Sequence, residues 1–137
     1  MTMKVKFIII HSTESGPTKN LKLRDIDRAH RMEGKLACGY HFVIGRDGEI
    51  ETGRSKTRPG QHTPGQNQHS ISIVLVGGLS AKGPTTNNYL ESQMQSLRIL
   101  VDQLLQEYPD ATVVGHNHFN PTTPCPCFDV AGWLPTL

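Results

Sequence analysis

The sequence predicts an α/β fold: a single domain with a central, mixed, mostly parallel β-sheet flanked by helices. Three observations lead there. Apolar stretches of strand length alternate with stretches of helical periodicity, as in strands joined by crossover helices. The first and last strands, residues 4–10 and 111–115, each run directly into a histidine. Between them, residues 39–52 alternate in polarity and turn at Asp47-Gly48, a hairpin signal that adds an antiparallel strand. A chain of 137 residues suits one domain with a real hydrophobic core, expected over 1–137.

In order, the first strand carries Phe7 to Ile10 and ends on His11. A polar loop with Gly16-Pro17 follows. Residues 21–33 read as a helix, with Leu23, Ile26 and either Ala29 or His30 on one face and Gly34 as its stop. His30 is expected to pack or to face solvent, not to bind a metal. In the hairpin, side chains alternate between faces, which groups Tyr40, Phe42 and Ile44 against His41 and Val43. Only one of Tyr40 and His41 then faces the edge where His11 lies.

Residues 53–68 form a loop rich in glycine, proline and glutamine, long for a connection and therefore a candidate binding segment. His62 lies within it. Residues 70–76 are apolar on both faces, as a central strand requires. After a second polar loop, Met94, Leu97, Leu100, Val101, Leu104, Leu105 and Tyr108 recur at helical spacing, a stripe read as core. Pro109 ends that helix, and Val113-Val114-Gly115 leads to His116.

Composition narrows the function classes. A net charge of +2 is too mild for nucleic-acid binding, although it suits an anionic polymer. No stretch approaches the ~20 apolar residues of a membrane span. The run from Phe7 to Ile10 is also short of the ~7–15 apolar residues of a signal peptide. Synthesis in the cytoplasm without a signal peptide is the expectation, as is a monomer. Three cysteines, an odd number, argue against a disulfide framework. Cys125 and Cys127 are too close to bridge without strain, and Cys38 reads as a buried free thiol.

The chemistry converges on His11, His116 and Cys125. Sites assemble at the carboxyl edge of parallel strands, and two strands of one sheet that end in histidine would meet there. Cys125 follows in the proline-rich loop after His116. Two imidazoles and one thiolate leave a fourth position open for water, as in a catalytic zinc site. The alternatives are that each histidine merely ends a strand, or that Cys127 or His118 closes a structural site.

These residues resemble a family, the zinc-dependent N-acetylmuramoyl-L-alanine amidases, which include short phage lysozymes and peptidoglycan recognition proteins. The matching pieces are the strand ending in His11, Cys38-Gly39-Tyr40-His41-Phe42 with Arg46-Asp47-Gly48, and Gly60-Gln61-His62. Further on come Asn67-Gln68-His69-Ser70-Ile71 with Val76-Gly77-Gly78, Gln93-Met94-Gln95-Ser96-Leu97, Gly115-His116 and Cys125-Pro126-Cys127-Phe128-Asp129. They occur in the family's order over nearly the whole chain.

The resemblance implies an amidase-like fold and hydrolysis of the bond between N-acetylmuramic acid and L-alanine. It implies Zn2+ on His11, His116 and Cys125, catalytic roles for Tyr40 and Thr123, and His62 near the substrate. The other reading of His62 is an exposed loop histidine. Thr123 stands where the phage lysozymes carry lysine and where amidase-active recognition proteins carry threonine. Cys127 stands where the phage enzymes have serine. Peptidoglycan is the expected partner, reached after release from the cell, with no nucleic acid and no membrane. The competing readings are a non-catalytic muropeptide-binding module and a structural zinc protein.

Overall fold

The structure, a computed structural model, describes residues 4–134. The domain expected over 1–137 extends past them into residues 1–3 and 135–137, which lie outside the described residues. The elements are β1 (Phe7–Ser12), α1 (Leu23–Met32), β2 (Phe42–Ile44), β3 (Ile50–Thr52), β4 (Ser70–Leu75), α2 (Glu91–Glu107), β5 (Thr112–Gly115) and α3 (Val130–Trp133). Short 3-10 turns, Asn67–His69 and His116–His118, precede β4 and follow β5.

The strands form one sheet in the order β3-β2-β4-β1-β5. β1 runs parallel to β4 and β5, β2 runs parallel to β4, and β3 joins β2 antiparallel. The expected mixed, mostly parallel sheet is therefore present, with β2, β4 and β1 inside it and β4 buried along its whole length. On one face, Ile8, Ile10, Phe42, Ile44, Ile71 and Ile73 pack against Leu97, Leu100, Val101 and Leu104 of α2. This is the stripe read from the sequence as core. On the other face, Val43, Val74 and Val76 meet Ile26 and Cys38. Cys38 is a buried free thiol, as expected.

Helix α1 is held at its ends more than along its length. The Asp25 carboxylate accepts the Lys22 backbone N–H at 2.8 Å, half of a capping box. Gly34, with φ +93°, takes the left-handed position that stops the helix. Within the helix Ile26 is the buried residue, and Ala29 is exposed. His30 packs, as expected: its Nδ1 accepts the Gly39 N–H at 2.8 Å.

Two local features differ from the sequence reading. Gln93, passed over in the apolar stripe of α2, is fully buried. Its amide donates to the Val76 carbonyl at 2.8 Å and accepts from Arg46 at 3.0 Å, tying the end of the hairpin to α2. A buried polar side chain is tolerated where both ends of its amide are satisfied. The second difference concerns Tyr40. Alternation grouped it with Phe42 and Ile44, whereas it packs on the side of Val43, with Ile26 and Cys38. The reason is that strand pairing starts only at Phe42. Tyr40 and His41 precede it in bent chain, where the two-residue period no longer applies.

Candidate metal centre

Strand register brings the first two donors together. Ile10 pairs with Gly115 across β1 and β5, so the next residues, His11, still paired with Val74 of β4, and His116, just past the end of β5, lie side by side. Their ring centroids are 4.6 Å apart. Gly115 is required here, because a Cβ would stand 2.7 Å from the Pro126 ring and from the Asn117 side chain. The loop after β5 can therefore fold back over the strand end. It is closed by the Asn117 N–H, which donates to the Cys125 carbonyl at 2.9 Å.

Cys125 completes the group. The Ser12 backbone N–H donates to its sulfur at 3.0 Å, and the His11 Nδ1 lies 4.0 Å from that sulfur. The ligand atoms of His11, His116 and Cys125 all lie within 4.8 Å of one another. Among the described residues this is the group of histidine, cysteine and carboxylate side chains able to hold a metal ion. His11 and Cys125 are buried and His116 is half-buried, so the group has one side toward solvent.

The electrostatics fit a cation. Burial, reinforced by His62 and His116, holds the His11 pKa well below its ordinary value, which leaves the neutral imidazole a ligand needs. Burial also lowers His116, with Glu14 opposing. Burial pushes the Cys125 thiol up to about 12, against the pull of the Ser12 N–H. A thiolate at that point needs a positive counter-charge, and two neutral imidazoles supply none. A borderline-soft dication suits this nitrogen and sulfur set.

Tyr40 and His62 border the group. The Tyr40 ring lies 5.1 Å from that of His11, and burial raises its pKa, which keeps the phenol protonated. His62 Nδ1 is 3.0 Å from His11 Nε2, and burial lowers the His62 pKa to about 3. His41 is turned elsewhere. Its Nδ1 accepts the Ser72 N–H at 3.0 Å and its Nε2 donates to the Arg58 carbonyl at 2.8 Å. Of the pair Tyr40 and His41, it is Tyr40 that stands against His11.

The remaining candidates separate. Thr123 is half-buried, and its hydroxyl accepts the Cys125 N–H at 3.3 Å. His118 is exposed and stacks edge-on against Phe119 at 4.9 Å. Neither His118 nor Cys127 belongs to the donor group. A cavity of about 270 Å³ leads from Ser12 and Tyr40 along α1 past His30. A larger one of about 610 Å³ lies between α1 and the loop after β3, with Arg24, Arg54 and Arg58 in its wall.

A sequence model of the family described as N-acetylmuramoyl-L-alanine amidase matches residues 1–128. The chain belongs to this amidase family. The endolysin of Escherichia phage T7 is 40% identical over 126 residues, 92% of this chain and 83% of that protein. Among solved structures, the N-acetylmuramoyl-L-alanine amidase LysC from Clostridium intestinale superposes with a TM-score of 0.79 at 28% identity. That match covers 93% of this chain and 79% of LysC. Human PGRP-IBETAC, solved in complex with glycosamyl muramyl pentapeptide, gives a TM-score of 0.77 at 25% identity. It covers 99% of this chain and 85% of the human one.

Two parts of the candidate site escaped the sequence reading. Thr63 is 2% exposed and places its hydroxyl 3.2 Å from His11 Nε2. Its signal was adjacency to His62 in a constrained loop. Tyr89 donates its hydroxyl to the Pro126 carbonyl at 2.6 Å and meets Phe128 edge-on at 5.9 Å. Lying in a polar loop remote in sequence from Cys125, it carried no such signal.

Proposed function

We propose that the chain is a zinc-dependent N-acetylmuramoyl-L-alanine amidase that cuts the bond between N-acetylmuramic acid and L-alanine in peptidoglycan. The observation that carries this reading is the convergence of His11, His116 and Cys125 on one sheet edge, with Tyr40 beside them. Zinc held there would supply a water ionised near neutral pH and a polarised carbonyl.

The side chains would then divide the remaining work. The Tyr40 phenol, held protonated by burial, donates to the oxyanion that develops as the amide is attacked. One such donor contributes on the order of 3 kcal/mol to the transition state. Thr123 accepts the Cys125 N–H with its oxygen, so its own hydroxyl proton is available to substrate. The half-buried side of the group, at His116, is the approach for substrate, and the cavity along α1 borders the site at Ser12 and Tyr40. The chain would act as a monomer on the cell wall after release. The complex of human PGRP-IBETAC with a muramyl pentapeptide supports a muropeptide as the ligand class. A module that only binds muropeptides has no need of the complete donor set.

The test is turnover on purified peptidoglycan by zinc-loaded protein. New L-alanine amino termini without new reducing sugar ends would mark the amidase. Binding of muropeptides with no release of either would replace this reading with the binding module.

A further inference from the structure

We propose that His62 is a positioning residue for His11, with Thr63 as its partner. It receives the His11 Nε2–H and so keeps Nδ1 as the nitrogen that faces the metal position. The inference rests on the zinc reading above. It gives His62 a task toward the metal ligand, where the resemblance implied one toward substrate.

The geometry assigns the two nitrogens of His11 to different neighbours. Nδ1 lies on the Cys125 side, 4.0 Å from the sulfur. Nε2 lies 3.0 Å from His62 Nδ1 and 3.2 Å from the Thr63 hydroxyl. A nitrogen that binds a cation offers a lone pair, so the proton of neutral His11 must sit on Nε2. Nε2 is then a donor, and His62 Nδ1 and Thr63 are its acceptors.

The proton count closes along this chain. His62, accepting at Nδ1, carries its own proton on Nε2, which faces the Ser70 hydroxyl at 3.4 Å. Ser70 in turn donates to the Gln66 carbonyl at 2.7 Å. Thr63 gives a parallel route with the same polarity. Its oxygen accepts from His11, and its proton goes to His62 Nδ1 at 2.9 Å. Both routes require the same tautomer of each histidine.

The loop is shaped to hold the two acceptors in place. The Asn67 carbonyl oxygen accepts the backbone N–H groups of His62 and Thr63 at 3.1 and 3.0 Å. Gly60 lies under the His62 ring, and a Cβ there would stand 2.6 Å from the His62 Cδ2 and the Gly39 carbonyl. With both ring nitrogens facing protein atoms, His62 could reach substrate only by giving one of them up. Outer partners of a ligand histidine typically contribute about 10–100-fold to metal affinity.

Zinc affinity by chelator competition is the deciding measurement, made on the wild type, His62→Ala, His62→Gln, Thr63→Val and Cys125→Ser. His62→Ala should weaken zinc binding about 10–100-fold, and His62→Gln, which keeps an acceptor, should recover part of the loss. At saturating zinc the KM of His62→Ala should match the wild type. In the metal-free proteins, the ¹⁵N signature of His11 should report one Nε2–H tautomer in the wild type and a mixture in His62→Ala. Thr63→Val should weaken zinc in the same direction, and it tests the idea even where His62→Ala folds poorly. Unchanged zinc affinity in His62→Ala and Thr63→Val, with a raised KM, would overturn the inference and leave a substrate contact. Stoichiometric zinc retained in Cys125→Ser would overturn the metal reading and this inference with it.

Discussion

The Tyr89 hydroxyl donates to the carbonyl of Pro126 at 2.6 Å, across 37 residues of chain. It fastens the cysteine loop from outside, while Ser12 holds the Cys125 sulfur from within. Tyr89→Phe keeps the ring contact with Phe128 and removes the hydroxyl alone. A lost hydrogen bond of this type costs about 1 kcal/mol. Melting should show a modest loss of stability, and chelator competition a zinc affinity lowered by roughly fivefold, the same energy expressed at the site.

The two thiols of the loop should behave differently. Cys125→Ser is expected to abolish stoichiometric zinc and amidase activity while leaving the far-ultraviolet circular dichroism intact, because the core lies on the sheet faces. Cys127→Ser should keep the metal, since Cys127 stands outside the donor group. Metal analysis of the two purified variants checks this, and the reverse pattern would exchange the two thiols.

Tyr40→Phe should lower kcat by about 100-fold, the scale of one lost oxyanion donor, with KM little changed. Thr123→Ala should cost less, because an uncharged hydroxyl is a weaker donor than a cation. Thr123→Lys should retain activity with weaker zinc binding, since its charge lies two residues from the ligand sulfur. Steady-state kinetics with zinc held in excess separates these effects.

His41 makes a pH-dependent contribution to stability. Burial lowers its folded pKa, with the Arg58 carbonyl opposing and Arg54 adding to the shift. The folded state therefore binds fewer protons than the unfolded state just below the ordinary histidine pKa of about 6.5. The stabilisation is complete above that value and is lost as the pH falls toward the folded pKa. Urea unfolding in the metal-free Cys125→Ser background should show stability falling between pH 7.5 and 5.5. Adding His41→Gln should make that decline shallower.

Much of the site was legible because strand ends are legible. An apolar run that stops at a histidine announces both a strand and a polar edge, and this located His11 and His116 before their register was known. The Asp47-Gly48 turn was equally plain, and Gly48 has φ +83°. What escaped was non-local or lay where periodicity lapses. The link between His11 and His62 spans 51 residues and depends on how one loop folds over the sheet. Tyr40 changed face because the strand begins only at Phe42, later than alternation implied. Gln93 was hidden because an amide satisfied at both ends occupies an apolar stripe without disturbing its period.

The donor set also bears on when the protein becomes competent. His11 and Cys125 are separated by 114 residues, and Ser12, which holds the sulfur, pairs with it across 113. Chains emerge from the ribosome amino end first. A growing polypeptide can align β1 with β4 before β5 and the thiol have been made. The three donors can therefore meet only after β5 and the loop behind it have emerged, and a chain cut short between Gly115 and Cys125 has every strand of the sheet without the thiol.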